Sequence, residues 1–214
     1  MITGITFWLI VIMANLVVGA CVGLTGVAGF LLPIIYTSLL GLSTTEGLAL
    51  SFGAFIVSGL LGSVNYQKAG NLDVKFGLKL SVGSLVGAVL GVRLNMLIPE
   101  SGVKTLLYTV VFLSGISILL RKDKKAAASD EQAKDSTFAG NLPAVLGLGT
   151  VTGAICALSG AGGPVLVMPL LVFLEIPVRT AVGVALFNSI FIGIPACLGY
   201  FSQCISVRLL KILA

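Results

Sequence analysis

Eight long apolar stretches, near residues 5–24, 27–41, 46–66, 76–98, 102–120, 140–158, 161–175 and 180–201, make up almost the whole chain. A helix needs about 20 apolar residues to cross a bilayer, and most of these stretches qualify. Inside lipid the backbone must satisfy its own polar groups, and continuous runs of this length do so as helices. The expected fold is therefore all-α: a polytopic transmembrane helical bundle. Only 10% of the 214 residues are charged, against about a quarter in soluble domains. Too few charges are present to keep the exterior of such a chain in water.

The strongly polar segment, Arg121 to Thr137, holds five basic and four acidic residues. It divides the chain into a first membrane repeat (1–120), a polar loop (121–138) and a second membrane repeat (139–214). The net charge of +5 does not point to nucleic acid, because the basic residues lie between apolar stretches. More of them fall on the loop side (Lys68, Lys75, Lys79, Arg179 and the loop itself) than on the other (Arg93, Lys104, Arg208, Lys211). The excess of Lys and Arg predicts a cytoplasmic loop. The start, Met1-Ile2-Thr3-Gly4, lacks a basic leader and reads as the beginning of a first membrane helix. There is no His. Cys21, Cys156, Cys197 and Cys204 form no C-x-x-C pair and read as small packing residues, so neither a metal nor another cofactor is expected.

The two halves resemble each other at an offset of 134. Gly19-Ala-Cys-Val-Gly-Leu-Thr-Gly-Val-Ala-Gly29 aligns with Gly153-Ala-Ile-Cys-Ala-Leu-Ser-Gly-Ala-Gly-Gly163, and farther on Gly59 meets Gly193 and Tyr66 meets Tyr200. Five apolar segments precede the polar loop, so the second half would enter from the opposite face. Inverted repeats of this kind place a transporter's site near the bilayer midplane. After Tyr200 the second half lacks two segments that follow Tyr66, and is expected to be incomplete at its C-terminal end.

The short segments 27–41 and 161–175 each follow a glycine-rich break: Thr25-Gly26-Val27-Ala28-Gly29 and Ser159-Gly160-Ala161-Gly162-Gly163. Irregular backbone at membrane depth is tolerated only where protein or a water-filled cavity surrounds it. A half-helix starting near Ala28 or Gly162 would offer first-turn amides and the positive end of its dipole, a natural anion site. The hydroxyls of Thr25 and Ser159 would add donors. Small-residue spacing can also serve close helix packing; it accounts for Gly83-Ser-Leu-Val-Gly87-Ala-Val-Leu-Gly91, and Gly19-Ala-Cys-Val-Gly23 fits it too. Pro33, Pro164, Pro169 and Pro195 fall within apolar stretches and favour discontinuous helices. Ser51 and Asn188 are polar residues inside such stretches and are expected to line the anion path or to bond between helices. No nucleophile–base pair, phosphate loop or deep carboxylate is present, so neither an enzyme, a direct ATP-driven pump nor a carboxylate proton carrier is expected.

Around these motifs the chain resembles the sulfite exporter TauE/SafE family. The residues that carry the likeness are Gly160-Ala-Gly-Gly-Pro-Val-Leu-Val-Met-Pro-Leu-Leu171 and Arg179-Thr-Ala-Val-Gly-Val-Ala-Leu-Phe-Asn-Ser189. In the first half they are Gly26-Val-Ala-Gly-Phe-Leu-Leu-Pro33, Glu46-Gly-Leu-Ala-Leu-Ser51 and Tyr66-Gln-Lys-Ala-Gly70. The first cluster departs from the family pattern in keeping only Gly26 and Gly29, and in the second Pro164 stands for a third glycine. The resemblance implies a multi-pass protein of the cytoplasmic membrane that moves sulfite, organosulfonates or related small anions. The expected partners are such an anion, the lipid bilayer and, in a homo-oligomer, further copies of the chain. An anion channel and a non-transporting membrane scaffold are the alternatives.

Overall fold

A computed structural model describes residues 4–25, 28–119 and 141–213; the polar loop therefore lies outside the described residues, as do Gly26 and Val27. The described residues form helices and connecting turns only, as the apolar stretches require. Helix α1 spans Gly4–Thr25. A first half-helix follows, built from a 3₁₀ turn (Ala28–Phe30), the short α2 (Leu31–Ile34) and a π turn (Ile35–Leu39). Then come α3 (Thr44–Lys68), α4 (Val74–Asn95) and α5 (Glu100–Leu119). Beyond the loop lie α6 (Leu142–Ser159), the half-helix α7 (Gly163–Phe173) and the long α8 (Val178–Leu213).

Local sequence explains where these helices begin and end. Ser43 caps α3 by accepting the Glu46 N–H, while Glu46 accepts from the Ser43 backbone, a reciprocal capping box. Asp73 caps α4 through the Phe76 N–H. Pro143 sits in the first turn of α6, where its missing donor costs nothing. Among the described residues, four segments are long and apolar enough to cross a membrane: Thr44–Lys68, Val74–Asn95, Leu142–Ser159 and Val178–Ile205. Trp8, Leu61, Phe112 and Leu198 point outward, as lipid-facing side chains do.

Two helix pairs form the centre. Helices α4 and α6 run parallel and touch through glycine. A Cβ on Gly83, Gly87 or Gly91 would strike the backbone carbonyl of Leu146, Thr150 or Ala154, and one on Gly149 or Gly153 would strike that of Leu80 or Ser84. The four-residue spacing thus serves backbone-to-backbone approach. Gly19 does not share this role, since a Cβ there would meet nothing within 4 Å. Gly19 is half-buried with no neighbour at that distance, which corrects the packing reading at this position.

Helices α3 and α8 cross antiparallel, and their contacts are reciprocal. Gly59 faces the Leu186 carbonyl (2.8 Å to an added Cβ) and Ile190; Gly193 faces the Phe52 carbonyl (3.2 Å) and Ile56. Leu186 and Ile190 are the offset-134 counterparts of Phe52 and Ile56. Each contact is therefore repeated with the two helices exchanged.

The aligned tyrosines differ in setting. Tyr66 is half-buried near the end of α3, whereas α8 continues past Tyr200 to Leu213. Tyr200 is fully buried and stacks on Phe52, ring centroids 5.9 Å apart.

Candidate functional site

Both chain interruptions are present. At the first, α1 runs to Thr25 and a 3₁₀ turn begins at Ala28, with Gly26 and Val27 outside the described residues. It doubles back: Asn15, ten residues before the break, donates to the Tyr36 hydroxyl (2.6 Å), eight residues after Ala28. The half-helix then runs down the start of α3, with Gly47 against Tyr36 and Thr37, and Gly29 against Phe55. Ala28 is half-buried and Gly29 buried. The side chain of Thr25 lies outside the described residues.

At the second, α6 stops at Ser159, and all five residues from Ser159 to Gly163 are buried. Gly160 (φ 75°) and Gly162 (φ 76°) take backbone conformations that a side chain resists. The chain again doubles back: α6 runs parallel to α4, and α7 returns with Gly163 packed on Ala185 and Ser189 of α8.

The carbonyl end of α6 is buried, and three of its last four carbonyls have partners. The Cys156 carbonyl accepts from the Gly160 N–H (2.9 Å), that of Ala157 from the Tyr200 hydroxyl (2.8 Å), and that of Leu158 from Asn95 Nδ2 (2.8 Å). Within the turn, Ala161 N–H donates to Ser159 Oγ (3.3 Å). The turn's negative pole is thus covered by donors from α4 and α8.

The two breaks come together at one phenyl ring. Phe55 of α3 presents Cε1 to Gly29, 2.9 Å from an added Cβ, and Cε2 to Gly162, 3.1 Å from one. Phe30 and Ile34 of the first half-helix also pack with Ala161 and Val165 of the second break against Leu107 of α5. Pro33 approaches Gly160, which also sits against Leu48. In this conformation the interval between the breaks is filled by the Phe55 ring rather than left open.

Asn188 is fully buried, and neither its Nδ2 nor its Oδ1 has a hydrogen-bond partner among the described residues. It lies one residue from Ser189, which packs on Gly163 and donates to the Ala185 carbonyl (2.8 Å). Ser51 is buried on α3, but its hydroxyl is taken by the Gly47 carbonyl (2.7 Å). Beside Ser159 lies a shallow apolar cleft with room for about one water molecule, lined by Pro33, Thr37, Thr44, Leu48, Val103, Lys104 and Leu107 as well. Among the described residues, no group of His, Cys, Asp or Glu side chains is arranged to hold a metal ion.

The sequence reading missed Phe55, Asn95 and Tyr200 as parts of this site. An aromatic residue in an apolar stretch carries no local signal. Asn95 and Tyr200 act on carbonyls 63 and 43 residues away, a relation that exists only once the helices have packed.

The sequence model of the family described as Sulfite exporter TauE/SafE matches residues 3–118, which hold the first break and α3 to α5. The chain belongs to this family. Over 202 residues it is 27% identical to the probable membrane transporter protein YdhB of Bacillus subtilis (strain 168), with 91% of this chain and 79% of that protein covered. No solved structure matches it. The chain is thus a multi-pass, all-α membrane transporter of the TauE/SafE family.

Proposed function

We propose that this protein carries small anions, sulfite or organosulfonates foremost, across the cytoplasmic membrane by alternating access, without catalysing a chemical change. One observation carries the reading: two helix interruptions from opposite halves of the chain converge on the two edges of Phe55. The second break is electrostatically suited to an anion. Donors from α8 and α4 occupy the Ala157 and Leu158 carbonyls, which weakens the negative pole of α6 and leaves the amide end of α7 to favour an anion. Thr25 to Gly29 and Ser159 to Gly163 form the binding region. Asn188 supplies a polar side chain with unused hydrogen-bonding capacity, and Ser51 has the lesser role its bonded hydroxyl allows.

The same contacts support an inverted-repeat mechanism. In each half a helix breaks, a half-helix doubles back, and a long helix follows: α1, first half-helix, α3; and α6, α7, α8. Because α3 and α8 are antiparallel and their glycine contacts are reciprocal, either half can rock against the other about that crossing. Phe55, lodged between the breaks, divides the site in the present conformation. The polar loop 121–138 would lie in the cytoplasm on the basis of its Lys and Arg content.

Reconstitution into proteoliposomes tests the reading. Saturable sulfite or sulfonate uptake is expected, and Gly160→Leu should abolish it because both the backbone conformation and the Leu48 contact are lost. Wild-type rates in that variant would remove the break from the mechanism.

A further inference from the structure

The segments that build the two breaks carry almost no charge. Residues 1–45, 47–67, 142–174 and 180–207 contain no Asp, Glu, Lys or Arg. They take in α1, the first half-helix, α6, α7 and most of α3 and α8. Among the described residues, no Asp, Glu, Lys or Arg side chain is buried. The charges stand at helix ends. Glu46 caps α3, where the Ser43 backbone N–H and hydroxyl donate to its carboxylate (3.2 and 2.9 Å). On α4, which covers the end of α6, Lys75 and Lys79 lie in the first two turns and Arg93 is exposed in the last. Lys104 shares a cleft with Ser159 but is exposed, where water and salt screen it.

What the breaks offer an anion is therefore neutral. The amide end of α7 (Gly163–Phe173) contributes about half a positive charge through its dipole. Asn188 is fully buried, and both polar atoms of its side chain lack a partner among the described residues. The next residue, Ser189, packs on Gly163 at the start of α7. Taking an ion out of water costs free energy that grows with the square of its charge, so a dianion loses about four times as much as a monoanion of equal size. Neutral dipoles return a gain that grows only in proportion to the charge. They offset the cost of one buried charge far better than that of two.

We infer that the paired breaks select by charge. Monoanions, bisulfite and alkanesulfonates, are carried; dianions of similar shape, the sulfite dianion and sulfate, are excluded. This rests on the reading of the paired breaks as an anion site and names the ionic form that the site accepts. Bisulfite gives up its proton near neutral pH, so the carried form thins out as pH rises. An alkanesulfonate keeps a single charge throughout. The chain has no His, the side chain that ordinarily titrates in this range, which leaves the substrate's own proton as the variable.

Uptake of labelled sulfite and methanesulfonate into proteoliposomes, measured between about pH 6 and about pH 8, provides the test. The KM for total sulfite should climb with pH, approaching about tenfold per unit once bisulfite has lost its proton, with kcat nearly unchanged. The KM for methanesulfonate should stay flat over the same range. Sulfate, close to methanesulfonate in shape, should inhibit neither uptake at concentrations where methanesulfonate competes fully with sulfite. A pH-independent KM for total sulfite, or sulfate competing as strongly as methanesulfonate, would overturn selection by charge. If that uptake were still abolished by Gly160→Leu, the anion site itself would stand. Absence of saturable uptake of sulfite and of methanesulfonate by the wild-type protein would overturn both.

Discussion

Along α4 and α6, five glycines stand where any Cβ would collide with the backbone of the facing helix, and all five keep ordinary helical conformation. At Ser159–Gly163, two glycines are needed for a different reason: Gly160 and Gly162 hold positive φ, and the helix ends because of them. The first set lets two unbroken helices approach; the second lets one helix stop in the middle of the bundle. Both are glycine-rich, apolar and buried. Spacing separates them: regular intervals of four in the crossing, near-adjacent glycines in the turn.

Substitutions at the two places should therefore fail in different ways. The largest effect is expected at the crossing: Gly87→Leu puts a side chain into the Thr150 backbone, and neither helix can move aside without losing the neighbouring glycine contacts. Size-exclusion chromatography of the purified protein should show loss of the monodisperse species. A folded, active Gly87→Leu protein would break the distinction.

At the site the fold should survive while transport fails. Asn188→Leu removes two buried polar atoms that have no partner among the described residues, so the thermal midpoint should hold or rise, by an amount equivalent to about 1–3 kcal/mol at most. Sulfite uptake by the same variant should fall about tenfold or more, the loss expected when a hydrogen bond to a charged ligand is removed. A stability loss with normal uptake would make Asn188 a packing residue instead.

Phe55→Ala should act in the opposite sense. Removing the ring between Gly29 and Gly162 opens the interval between the breaks, and sulfite should leak down its gradient without saturating. Tight, wild-type-like kinetics in that variant would mean that the ring does not divide the site.

The smallest effect is expected from Tyr200→Phe, which deletes one donor to the Ala157 carbonyl. A destabilisation of about 1 kcal/mol should appear in a thermal melt, with an accompanying modest rise in KM, because an uncovered carbonyl beside the turn opposes a bound anion.

Much of this was legible before the helices were placed. Scarcity of charge and the length of the apolar stretches required an all-α membrane bundle. The paired Thr/Ser–glycine breaks marked where two helices would stop, and the Gly83–Gly91 spacing marked a close crossing. What could not be read is of one kind. That Phe55 lies between the breaks, and that Asn95 and Tyr200 cover the end of α6, are consequences of contacts between residues far apart in the chain. Polar side chains buried within apolar stretches can bond up or down their own helix, as Ser51 does, or find no partner among the described residues, as with Asn188. Residue type alone does not distinguish the two outcomes. Gly19 misled for a related reason, since small-residue spacing says that close approach is permitted but not that a neighbour is there.

The claim that the two breaks serve one anion is tested most directly by a double-mutant cycle on sulfite transport with Thr25→Val and Ser159→Ala. If both hydroxyls contact the same bound ion, each single variant should lower kcat/KM, and the double variant should depart clearly from the product of the two effects, by about threefold or more. Strictly multiplicative losses, or wild-type kinetics in either single variant, would contradict a shared site.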